Sequence, residues 1–171
     1  MQPKHLNYLA GYPESIQQQA QKLISSGKLA EWFAHRYGQQ SHSVQNDKAL
    51  YEYAMTLKER FMKHAAPLSR VQFDNKLNLV QQALGLNTQI ARIQGGKLKA
   101  KNEIRIASLF KQTPDAFLRM IVVHELAHLK VKAHDRAFYQ LCQHMEPDYH
   151  QLEFDLRLYL IWKETTVSPE K

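Results

Sequence analysis

With 171 residues, 44% of them hydrophobic and 23% charged, the chain is long enough for one compact domain with a core and short for two, and the composition excludes wholesale disorder. A single cysteine, Cys142, excludes an internal disulfide framework and a cysteine-rich zinc finger. The formal net charge is +7, the leading MQPKHLNYLAGYP lacks a signal-peptide pattern, and no run nears the roughly 18 apolar residues of a membrane span, so a cytoplasmic protein without a membrane partner is expected.

From Pro13 to Pro67 the pattern is helical. PESIQQQAQKLISSG places Ile16, Ala20 and Leu23 on one face and stops at Gly27. KLAEWFAHRYG predicts a second helix ending at Gly38, and QQSHSVQND reads as a loop. Leu50, Tyr53, Ala54, Leu57, Phe61 and His64 then recur at helical spacing, and that helix ends before Pro67. Further on, NKLNLVQQALGL reads as a helix stopped by Gly85. TQIARIQ and EIRIAS alternate apolar with polar residues around Gly95-Gly96, which predicts two antiparallel strands joined by a basic turn.

Thr113-Pro114-Asp115 marks a helix start, with Pro at the first helical position. A further helix spans about Asp135 to Met145, broken by Pro147, with Cys142 as a small buried hydrophobe. The last begins near Asp148 and carries Leu152, Leu156, Tyr159 and Leu160 as its core stripe. One domain over 1–171 is expected: a helical part over 1–67, a core over 68–163 and a frayed tail over 164–171.

The helix after Thr113 contains His124-Glu125-Leu126-Ala127-His128. Histidines at i and i+4 lie about 40° apart around a helix axis and about 6 Å apart along it, so both imidazoles can meet one ion. Zn²⁺ takes nitrogen at about 2.0–2.1 Å, and the spacing supplies two such ligands without strain. Glu125 is displaced around the helix and points beside the ion, where a carboxylate can take a proton from an activated water. The apolar stripe Leu118, Val122, Leu126 and Leu129 leaves the histidines on a side facing a cleft.

His134 is the favoured third ligand. A helix continued to 134 would swing it about 120° away, so the chain must turn after about Lys130 or Val131. Asp135 can then cap the following helix. Metzincin proteases share this interval and use a glycine to turn, where this chain has Val131. A carboxylate further on, Glu153 or Glu146, is the rival arrangement, as in gluzincins.

VVHELAHLKVKAHDRAFYQLCQHMEPDYHQLEFDLRLYL resembles the C-terminal signature of the YgjP-like zinc metallopeptidases, which are related in motif to SprT-like and WLM-type domains. HELAHL, His134, Phe138-Tyr139, Pro147-Asp148-Tyr149 and the closing Leu/Tyr helix carry the likeness. It is close over about 114–161 and looser over 68–113. It implies an α+β, zincin-like fold, mostly helical, with a small antiparallel sheet packed on the HExxH helix. It also implies Zn²⁺ as cofactor, His124, His128 and His134 as its ligands and Glu125 as the catalytic acid/base. A WGSC-like motif usual in that family is missing from ARIQGGKLKAKNEIRIA.

The activity expected from these residues is zinc-dependent hydrolysis of a peptide or protein substrate. Tyr139, Tyr149, His144 and His150 are near enough in sequence to stabilise an oxyanion. Met145 reads as core. The competing reading is a metal-stabilised module that binds nucleic acid or protein through the basic segment 92–111. That segment holds six basic residues, Arg92, Lys97, Lys99, Lys101, Arg105 and Lys111, against one acid, Glu103. Glu125 between the histidines favours catalysis, because a structural zinc site has no use for it.

Overall fold

A computed structural model describes residues 8–38, 41–77 and 102–167. Among these the chain is mostly helical, with six α-helices and one two-stranded sheet. It divides into two compact units, Met1–Gln40 with Glu153–Lys171, and Ser41–Leu152.

The first unit holds α1 (Glu14–Ser25), α2 (Leu29–Tyr37) and most of α6 (Tyr149–Val167). Gly27 and Gly38 end the first two helices with φ of +70° and +68°, a conformation that costs glycine nothing. Phe33 of α2 lies edge-on to Tyr159 and stacked on Trp162, with centroids 5.6 and 5.4 Å apart. Asp155 of α6 is fully buried, which a carboxylate tolerates only with partners. Here the Tyr37 hydroxyl donates to it and Arg36 Nε lies at 2.8 Å. Leu152, Leu156, Tyr159 and Leu160 are buried as their spacing predicts. The helix continues to Val167, past the end that the polar TTVSPEK tail suggested.

The second unit is built on α3 (Asp47–Phe61), α4 (Asp115–Ala127) and α5 (Arg136–Met145) around strands β1 (Arg70–Asp74) and β2 (Glu103–Ala107). Asn46 caps α3, its Oδ1 accepting from Ala49 N at 2.8 Å. Asp47 at the head of α3 reaches the sheet, accepting from Phe73 N at 2.9 Å. Buried Val71, Ile104 and Ile106 give the sheet its apolar face.

The sheet corrects the expected topology. β1 and β2 are parallel, with Val71 opposite Ile104 and Phe73 opposite Ile106. The expected antiparallel partner, residues 88–94, and the helix read in NKLNLVQQALGL fall on or run into residues outside the described ones. Alternation identified β2 correctly, but it carries no information about which strand pairs with it. The five residues RVQFD offer only Val71 and Phe73 as a signal. The stretch between the strands, residues 75–102, exceeds the dozen or so that a parallel connection requires.

The α4 helix is buried almost all round: Phe117, Leu118 and every residue from Met120 to Ala127. The one-sided stripe read from the sequence therefore understated its burial. Helix α4 packs against β2 on one side and α5 on another. Two histidines and a glutamate are thereby carried into the interior of this unit.

Candidate metal centre

His124 and Glu125 lie in the last turn of α4, 6% and 2% exposed, and His128 is its C-cap residue, 7% exposed. The helix does not reach Lys130. It stops at Ala127 and unwinds through short-range turns, with Leu129 N bonded to Leu126 O and Lys130 N to Ala127 O. The bend brings back His134, which remains exposed. Asp135 then caps α5, its Oδ1 accepting from Phe138 N at 3.0 Å. The turn-and-return that the six-residue interval demanded is present, and it begins earlier than the spacing suggested.

The three imidazoles converge. His128 Nε2 lies 3.3 Å from His124 Nε2 and 3.0 Å from His134 Nε2. All three donor atoms fall within 4.8 Å of one another. Ligand nitrogens around a tetrahedral zinc are about 3.3 Å apart, given bonds of about 2.0–2.1 Å. The donor set and its spacing therefore fit zinc.

The outer nitrogens are committed as well. His128 Nδ1 lies 3.0 Å from the carbonyl of Val131. A carbonyl only accepts, so Nδ1 carries the hydrogen and neutral His128 has its lone pair on Nε2, facing the other two rings. At the position where metzincins place glycine, this chain uses the backbone of Val131. His124 Nδ1 meets the Tyr149 hydroxyl at 2.7 Å. Burial first, and then the neighbouring His128 and His134 rings, hold the His124 pKa well below the usual histidine value, so its imidazole is neutral near pH 7.

Sequence reasoning missed the wall behind the triad. Phe138 of α5 is fully buried and touches all three imidazoles. It is stacked on His128 with centroids 4.6 Å apart, and edge-on to His124 at 5.0 Å and His134 at 4.9 Å. The signal was in the chain: Phe138 lies one helical turn beyond His134. The bend and the first residue of α5 also carry Lys130, Lys132 and Arg136, exposed and close in sequence to His128 and His134, a second basic cluster outside segment 92–111.

The rival ligands are engaged elsewhere. Glu153 pairs with Arg157 at 3.2 Å, and Glu146 with Arg119 at 2.5 Å. Of the oxyanion candidates, Tyr149 lies against His124, Tyr139 packs on the His150 ring, and His144 faces Phe61. Met145 and Cys142 are fully buried core residues, as expected. Half of the basic segment, residues 92–101, lies outside the described residues, and with it four of its six basic residues. Within its described part, Arg105 pairs with Asp74 at 3.3 Å and Lys111 sits over the Phe73 ring. No helix among the described residues is long and apolar enough to cross a membrane.

A buried HExxH helix with a third histidine returned to it defines a protein of the metal-dependent hydrolase class. The family match agrees: the profile described as "YgjP-like, metallopeptidase domain" covers residues 4–159, and the chain belongs to the YgjP-like family. It is 54% identical over 156 residues to the UTP pyrophosphatase of Escherichia coli (strain K12), covering 91% of this chain and 93% of that protein. No solved structure matches.

Proposed function

We propose that this chain is a zinc-dependent hydrolase of nucleoside triphosphates, cleaving UTP at the α–β phosphoanhydride to release pyrophosphate. His124, His128 and His134 hold the metal, and Glu125 acts as general base. The observation that carries the metal chemistry is the convergence of three imidazole nitrogens beside a buried glutamate. The substrate class follows from the relative at 54% identity, named for UTP. Bound zinc would supply Lewis-acid polarisation and acidify a water toward neutral pH.

The chain's own residues account for the rest. Glu125 removes a proton from the attacking water, whose oxygen bonds to the α-phosphorus as the bridging P–O bond breaks. The same carboxyl can return that proton to the departing pyrophosphate. Lys130, Lys132 and Arg136 on the bend offer cations to a polyphosphate, where a neutral peptide would have no need of them. The overall charge of +7 favours encounter with such an anion.

Peptide hydrolysis is the second reading. The family's description favours it, and the same histidines and Glu125 would perform it on a carbonyl. The deciding experiment incubates the zinc-loaded protein separately with UTP and with a mixed peptide library. Release of UMP and pyrophosphate, abolished by chelator and restored by zinc, is expected. Peptide cleavage without turnover of UTP would replace the proposal with the peptidase reading. Nucleic-acid binding with neither hydrolysis would leave the binding-module alternative.

A further inference from the structure

We propose that Tyr149 is the positioning residue for His124: its phenol oxygen accepts from His124 Nδ1–H and so holds the Nε2 lone pair toward the centre of the triad. The inference rests on reading the triad as a metal site, and it assigns a part to a residue that the sequence offers only as an oxyanion stabiliser. Tyr149 O and His124 Nδ1 are 2.7 Å apart, and both side chains are buried, at 1% and 6% exposure. The two ring planes lie within 16° of parallel with centroids 6.4 Å apart, so the phenol and imidazole meet end to end through that hydrogen bond.

The phenol reaches this place through a short chain of contacts that begins on the HExxH helix itself. Arg119, one and a half turns before His124 on α4, pairs with Glu146 at 2.5 Å and donates to Met145 O at 3.0 Å. Glu146 in turn accepts from Asp148 N through its side chain and from Tyr149 N through its carbonyl, at 3.3 and 3.0 Å. The helix that supplies the ligand thus also anchors the segment that supplies the ligand's partner. His128 obtains its partner from the Val131 carbonyl, which no substitution removes. Tyr149 is the replaceable one of the two.

A phenol is a weaker acceptor than a carboxylate in this position. It would leave less electron density on the His124 ring, and a bound metal would be correspondingly more electrophilic. Loss of such an outer partner typically weakens metal binding about 10–100-fold.

The test is Tyr149→Phe, which keeps the buried ring and removes the oxygen, with Tyr139→Phe as control for the neighbouring ring. Zinc affinity is measured by chelator competition. NMR of isotope-labelled histidine in the zinc-loaded protein follows the exchange of His124 Nδ1–H. Affinity should fall about 10–100-fold in Tyr149→Phe, with Nδ1–H exchanging faster, while Tyr139→Phe behaves as the parent. Equal zinc affinity and equal Nδ1–H protection in Tyr149→Phe and parent would overturn the assignment, as would an equal loss in both variants. Failure of the parent itself to bind zinc would overturn the metal reading instead, and it is seen before either variant is made.

Discussion

Phe138→Ala removes the ring on which all three imidazoles rest. The side chain is fully buried, and truncating such a phenylalanine costs about 3–5 kcal/mol through lost transfer energy and the cavity left behind. Its centroid distances of 4.6, 4.9 and 5.0 Å to the histidines are those of aromatic pairs, contacts whose loss is part of that cost. Against a domain stability of about 5–15 kcal/mol, the variant should fold but melt early. Phe138→Leu keeps most of the apolar volume and should lose about 1.5 kcal/mol or less. Urea unfolding of the metal-free proteins measures both losses without the stabilisation that bound metal would add. Zinc affinity should fall at least tenfold in Phe138→Ala, because three rings lose the surface that sets their tilt. A Phe138→Ala protein within about 1 kcal/mol of the parent and with unchanged zinc affinity would refute the idea that this ring organises the triad.

The ligand assignment makes its own demand: His134→Ala should lose zinc by a large factor in chelator titrations, and Glu153→Ala, whose carboxylate serves Arg157, should not; the reverse result would make the site gluzincin-like. Glu125→Gln should keep near-normal zinc content while UTP hydrolysis falls by about 10²–10⁴-fold, and retained turnover would remove Glu125 from the mechanism. Lys130→Ala combined with Arg136→Ala should raise KM for UTP with little change in zinc content. An unchanged KM would dissociate the basic bend from substrate binding.

The convergence of the three histidines was legible because each rests on short-range geometry. His124 and His128 converge on any helix, and His134 can return only if the chain turns, which Asp135 made plausible as a cap for the next helix. Glycines and prolines marked the ends of α1 and α2 and the start of α4 for similar local reasons. The features that could not be read depend on distant partners. EIRIA announced a strand, but its neighbour β1 lies far earlier in the chain and is packed against α3. The burial of α4 on nearly every side comes from the sheet and α5 enclosing it, whereas the helix's own pattern exposed only a stripe. Phe138 and Tyr149 were visible as aromatic residues, but their contacts with the imidazoles depend on where α5 and the start of α6 are brought to rest.

The two units differ in when a growing chain can finish them. Ser41–Leu152 is one uninterrupted stretch and includes every residue of the triad. The other unit joins the two ends: Tyr8 bonds to Glu164, Arg157 donates to Tyr8 O, and Tyr37 bonds to Asp155. Its first segment must therefore wait for its last. At about 5–20 residues per second, synthesis of the intervening stretch takes on the order of ten seconds. During that interval Phe33 lacks Tyr159 and Trp162 to cover it. The ordering makes residues 13–37 the part of the nascent protein most in need of protection from aggregation, and it lets the histidine cluster be completed while they wait.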